Sequence, residues 1–246
     1  MKKITLEVCI DNIESLYTAM AAGADRIELC SSLALGGLTP SFGLIKKALD
    51  VSSIPIYVMI RPRAGDFVFN DDEIDLMEEE IAFYRDLGVA GVVIGALNSD
   101  ATINQEALTR FMQAAGTIGV TFHRAFDLVA DPLLSLDILI KHHVERILTS
   151  GQKETAYIGI GIIEELHIHS KGRISIMAGA GINASNVLEL LTTGITEVHL
   201  SGKTSRASLM KKVDSAVSMG SDSEDDKVDV ASFDKIYHVS ILLPIS

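Results

Sequence analysis

Short runs of mostly apolar residues alternate along this chain with longer stretches in which apolar side chains recur every three or four positions. The short runs lie near 4–8, 25–29, 56–60, 91–95, 118–123, 145–149, 174–178 and 196–200, and most are bounded by Gly, Asp, Asn or Pro; they predict eight strands. The longer stretches, near 11–22, 41–49, 70–87, 102–116, 131–141, 153–170 and 184–193, predict helices. Asp11, Ser41, Asn70 and Asn183 suit N-caps, and Pro132 after Asp131 suits a first helical turn. Gly23, Gly88 and Gly194 fall where a left-handed C-cap is needed. The helix-to-strand turn also repeats, as "GADRIELC" (23–30), "GVAGVVIG" (88–95) and "GITEVHLS" (194–201), with a looser copy in "HVERILTS" (143–150).

Eight strands alternating with helices predict one TIM-type (β/α)8 barrel spanning 1–246 as a single domain. An open doubly wound sheet is the runner-up, but "VCIDNIES" after the first strand is not a glycine-rich dinucleotide turn. The pattern weakens after strand eight. Residues 201–226, ending in the acidic "SDSEDD", read as a long loop on the barrel face. Residues 227–246 read as a closing segment, with a helix over 227–240 and Pro244 placed to stop it.

In such a barrel the outward face of each strand packs under helices and is apolar, so alternation sends the other face inward. By that parity Glu7, Cys9, Glu28, Cys30, Tyr57, Met59, Arg61, Thr121 and His123 point into the barrel, and His199 aligns with Glu28 on a strand with fewer polar neighbours. A barrel interior is ordinarily filled by Val, Ile and Leu, and unpaired charges buried there are costly. The polar set also collects at the C-terminal ends of strands, where barrel enzymes carry their sites. A functional pocket is expected there.

Composition narrows the classes. Of 246 residues 48% are hydrophobic and 22% charged, so a large core is affordable. A net charge of −12 argues against a nucleic-acid or anionic-membrane binder, though not against a local basic pocket for a small anion. No apolar run reaches the ~20 residues of a membrane span, and the apolar segment after Met1-Lys2-Lys3 is too short for a signal peptide. With two cysteines, the expectation is a cytoplasmic protein with reduced thiols. Homo-oligomerisation is left open.

Several motifs carry chemistry. In "RPRAGDF", Arg61 and Arg63 share parity and could grip a carboxylate or phosphate; pairing with Glu7, Glu28 or Asp66 is the structural alternative. "FHRAFD" sets His123 beside Arg124 and Asp127, an arrangement suited to acid–base work or to a structural hydrogen bond. "AGAGI" (Gly179, Gly181), "LSGK" (Ser201) and "TSGQK" (Ser150) offer backbone amides for a phosphate cradle, or plain strand-to-helix turns.

"LEVC", "GADRIELC", "GGLTPS", "IRPRAGDF", "VTFHRAFD", "ILTSGQ" and "IMAGAGI", in that order over about residues 4–202, resemble the copper-homeostasis protein CutC family. The resemblance implies a TIM-type barrel, a cytoplasmic location and an association with copper handling. It also implies Cys9 and Cys30 as suspected Cu(I) ligands, consistent with the preference of soft thiolates for that ion. Packing of two small buried side chains is the alternative, as core filling is for Met59 and Met177. Two functions follow. One is a copper-homeostasis protein that binds Cu(I) through Cys9 and Cys30. The other is an enzyme on a small anionic or phosphorylated metabolite. There Glu7, Glu28, His123 and Asp127 would be its candidate acid–base groups, and Arg61, Arg63, Arg124, Ser150, Gly179, Gly181, His199 and Ser201 would line the ligand site. A non-catalytic sensor of the same anion is a weaker third reading.

Overall fold

The computed structural model describes residues 3–210 and 226–244. The chain runs β1 (Thr5–Ile10), α1 (Ile13–Ala21), β2 (Arg26–Leu29), α2 (Phe42–Val51), β3 (Ile56–Met59), α3 (Asp71–Leu87), β4 (Gly91–Ile94), α4 (Gln105–Ala115), β5 (Gly119–Phe122), α5 (Pro132–Lys141), β6 (Arg146–Thr149), α6 (Ile160–Ser170), β7 (Ser175–Ala178), α7 (Val187–Leu191) and β8 (Glu197–Leu200). All eight strands pair in parallel with their sequence neighbours, and β8 closes on β1 through Glu7 opposite His199. This is the (β/α)8 barrel that the alternation predicts. Outward strand residues such as Val8, Val58, Val120 and Val198 join the helices in one apolar core, which leaves the inward positions to the polar set.

The caps explain where helices start. Asn70 and Glu73 form a reciprocal capping box on α3, and Asp131 caps α5 with Pro132 behind it. Two caps move. Asn12, not Asp11, accepts the Ser15 amide at the start of α1, while Asp11 takes the amide of Leu33. Asn186, not Asn183, precedes α7, because Asn183 is used in a turn onto the Ser185 amide. Helix α6 begins at Ile160 rather than 153. The amides of Ser150 and Gln152 bind the Asp127 carboxylate, and the backbones of Gly151 and Gly159 pack on each other, so residues 150–159 are held as a loop.

The C-terminal region differs from the long loop over 201–226 and from a closing helix that begins at 227, and it bears out irregularity at the last helix. β9 (Lys203–Ala207) pairs antiparallel with β10 (Lys227–Ala231), and α8 (Phe233–Ser240) follows. The loop expected over 201–226 is thus a ribbon strand at 203–207, and its residues 211–225 lie outside the described ones. The ribbon rests on the start of α1, where Ser15 Oγ accepts the Ala231 amide at 2.9 Å and Asn12 Nδ2 donates to the Asp229 carbonyl at 3.2 Å. Ile236 and Val239 of α8 are fully buried, and Ser240 Oγ donates to the Ala22 carbonyl, so α8 closes the helical ring beside α1. Among the described residues no helix is long and apolar enough to cross a membrane.

Candidate functional site

The barrel interior has two polar storeys. The lower one is an ion network. Arg26 bonds Glu7 through Nε and Glu197 through Nη2, and Arg146 reaches Glu197 from Nε at 3.0 Å, Thr121 at 3.1 Å, and Glu145. Tyr57 lies flat beneath both guanidiniums, 5.2 and 4.9 Å from its ring centre, and its hydroxyl donates to Glu145 at 2.9 Å. Gly91 and Gly119 make room for that ring, since a Cβ at either would collide with it. These charges satisfy one another, so they hold the floor shut rather than present a site.

The upper storey opens at the C-terminal ends of the strands, in a cavity of about 420 Å³. Glu7 links the storeys: its Oε1 accepts the Nδ1–H of His199 at 2.8 Å. That bond turns His199 Nε2 toward Glu28, whose Oε2 lies 3.7 Å away. The thiol of Cys30 donates to the same Oε2 at 3.7 Å. A sulfur of Cys9, an oxygen of Glu28 and a nitrogen of His199 all lie within 4.8 Å of one another. His199 therefore sits between two carboxylates, contrary to the polar-poor surroundings expected for it. Strand register produces this cluster, because Cys9 pairs with Glu28 across β1 and β2 and Glu7 pairs with His199 across β1 and β8.

Burial and neighbours set the protonation of these groups. Burial pushes Glu7 up, but the hydrogen bond from His199 and the charge of Arg26 outweigh it and hold Glu7 at about 2. Burial dominates at Glu28 and, with the Glu7 charge, raises it to about 7 despite His199. Burial opposes a charged His199, but Cys9, Glu28 and Glu7 around it raise it well above the ordinary histidine value. Burial raises the Cys9 thiol against the pull of His199, and burial together with the Glu28 charge raises Cys30 further.

The other residues singled out in the sequence divide between the cavity and its supports. Arg61 spends both terminal nitrogens on the carbonyls of Leu35, Gly37 and Gly65, clipping the β2–α2 loop to the β3–α3 loop. Arg61 lines the cavity, its buried Nε has no partner among the described residues, and its guanidinium stacks on Phe67 at 4.8 Å. Arg63 turns away to Asp66 in its own loop and Glu73 at the start of α3, so the two arginines do not form a joint clamp. His123 lines the cavity, and its Nδ1 accepts the Ala125 amide at 3.1 Å, which leaves the proton on Nε2. Nε2 has no partner among the described residues, and burial with the nearby Arg61 charge lowers His123 to about 3, so the ring is neutral. Asp127 lies at the cavity edge with its carboxylate taken up by Arg124, Thr149, Ser150 and Gln152. Ser150 is buried in that knot, and Arg124 reaches it at 3.0 Å. Gly181 lines an adjoining cavity of about 720 Å³, which shares Cys9, Arg124, His199, Ser201 and Lys203 with the first. Gly179 lies beneath, where a Cβ would strike Leu148.

The floor charges follow the same strand parity. Arg26 is two residues before Glu28, Glu197 two before His199, and Arg146 begins β6, so the same alternation points the floor charges inward. Gly95 carries no such signal: a Cβ there would collide with the His123 ring, a constraint visible only in three dimensions. The same holds for the cavity walls supplied by Leu33, Leu35 and Lys203.

The motif order and the barrel agree with one family, and the profile of the CutC family matches residues 4–204. The chain belongs to the CutC family. The family protein CutC of Pasteurella multocida is 54% identical over 223 residues, covering 90% of this chain and 91% of that one. The Vibrio cholerae CutC is 52% identical over 238 residues, covering 95% and 94%. A solved structure from Streptococcus agalactiae, carrying the provisional designation copper homeostasis protein CutC, superposes with a TM-score of 0.76 at 37% identity. It covers 80% of this chain and 97% of its own. The family match stops at 204, so the second ribbon strand and α8 lie outside it.

Proposed function

We propose that this CutC-family protein serves copper homeostasis by holding Cu(I) at the barrel mouth, with Cys9 and Cys30 as thiolate donors and His199 beside them. The observation that carries this reading is the convergence of Cys9, His199 and Glu28 within 4.8 Å, with the Cys30 sulfur bonded to the same Glu28 carboxylate. The donor chemistry fits: Cys9 and the Met59 thioether line the cavity, Cys30 is buried beside Glu28, and all three are soft donors of the kind Cu(I) selects. Copper is cargo in this reading, and the chain's own groups manage protons. Both thiols are held protonated by burial, so an ion bound by two thiolates expels two protons through the mouth. Localisation in the cytoplasm belongs to the same proposal, since free buried thiols suit a reducing compartment.

An anaerobic Cu(I) titration against a competing chelator tests it. Affinity is expected to rise about a hundredfold per pH unit between pH 6 and 8, the slope for two displaced protons. A slope of about tenfold would mean a single thiolate. Cys9→Ser/Cys30→Ser is expected to abolish tight binding, and wild-type affinity in that variant would end the proposal. A second reading, catalysis on a small anionic metabolite, is favoured by one separate observation: Arg61 and His123, which line the mouth cavity, each carry a buried donor, Nε and Nε2, without a partner among the described residues.

A further inference from the structure

Three buried side-chain atoms facing no protein partner belong to residues that line one cavity: Arg61 Nε, His123 Nε2 and Glu28 Oε1. The three residues are only 5%, 4% and 3% exposed, so water in bulk does not satisfy them. A buried polar atom left unpaired is costly and is ordinarily explained by a ligand or an ordered water. Two of the three are N–H donors of fixed direction. Arg61 is immobilised by its three carbonyl contacts, and His123 is fixed in its tautomer by the Ala125 amide. Both pack on Phe67, whose ring centre lies 4.8 Å from the Arg61 guanidinium and 4.9 Å from the His123 ring. The third atom is a carboxylate oxygen free to accept.

We infer that the mouth cavity contains a carboxylate subsite made by Arg61 Nε and His123 Nε2 on Phe67, taking a small hydroxy acid whose hydroxyl donates to Glu28 Oε1. This deepens the small-anion reading above by naming its substrate class. One permanent charge and one neutral donor match a monoanion with two oxygens. A phosphate dianion would find less. Among the described residues the other cations near the mouth are already engaged, His199 with Glu7, Arg124 with Asp127, Lys203 with Asp229, and Lys235 with the Lys203 carbonyl. The remaining walls, Leu33, Leu35, Met59, Leu128 and Leu148, favour a short apolar body.

The test is saturation-transfer NMR on the full chain with lactate, propionate, methyl lactate and inorganic phosphate. Lactate is expected to bind saturably, propionate more weakly, and the uncharged methyl ester not at all. His123→Asn keeps an acceptor for the Ala125 amide but loses the Nε2 donor, and is expected to weaken lactate at least tenfold. Arg61→Lys, which also disturbs the loop clip, is expected to do the same. Lactate binding unchanged in His123→Asn, or equal binding of the ester, overturns the subsite. Phosphate preferred to lactate overturns the subsite while keeping the small-anion reading. Silence from every anion removes both.

Discussion

His123 shows how much one side chain's surroundings decide. The residue is buried, neutral, bonded once through Nδ1, and lowered to about 3 by burial and by Arg61. An unfolded chain takes up a proton on this histidine below about 6.5, whereas the folded one does not. The group therefore costs stability as pH falls from about 6.5 toward 3, by about 1.4 kcal/mol per unit. Glu28, raised to about 7, works in the opposite direction between that value and its unfolded one, so the comparison must be between variants. His123→Asn is expected to gain on the parent by about 1.4 kcal/mol per pH unit between 6 and 4, read from urea unfolding at each pH. At this scale the sequence was informative about direction and silent about partners. Alternation along a strand turned Glu7, Cys9, Glu28, Arg61, His123 and His199 inward without any structure. It could not reveal that Asp127 is consumed by the loop after β6 or that Arg63 swings out to Glu73. Those choices depend on where a second element lands.

Strands and helices were the most legible level, because a (β/α)8 chain writes its period twice, once in the apolar runs and once in the caps. The ribbon escaped for a physical reason. β9 alternates between exposed and half-buried, carries almost no apolar side chain, and finds its partner some twenty residues later. Within the barrel, packing between strands is set by glycine as much as by bulk. The Tyr57 ring of β3 occupies space that Gly91 of β4 and Gly119 of β5 leave open. Gly91→Ala is expected to cost about 1–3 kcal/mol through overpacking. Combined with Tyr57→Leu, the loss should be smaller than the sum, a coupling of about 0.5–3 kcal/mol in a double-mutant cycle by denaturant unfolding. Additive losses would mean that the ring and the glycine do not share that space.

The whole molecule is a ring closed late in the chain. β8 completes the barrel, but α8 completes the layer around it, anchored by the fully buried Ile236 and Val239. Ile236→Ala is expected to cost about 2–5 kcal/mol and to lower Tm by several degrees, with near- and far-UV signals still falling together as one cooperative unit. Separate transitions would show the closing helix to be an appendage. The floor of the same ring has a kinetic meaning. Arg26, Glu197, Arg146 and Tyr57 stopper one end of the barrel with charges that arginine never surrenders. The vessel is thus open at one end, and whatever enters must leave past the lip it crossed on arrival. Residence time is then governed by the loops around that lip, the Arg61-clipped turn on one side and the ribbon's Lys203 on the other, rather than by passage through the protein.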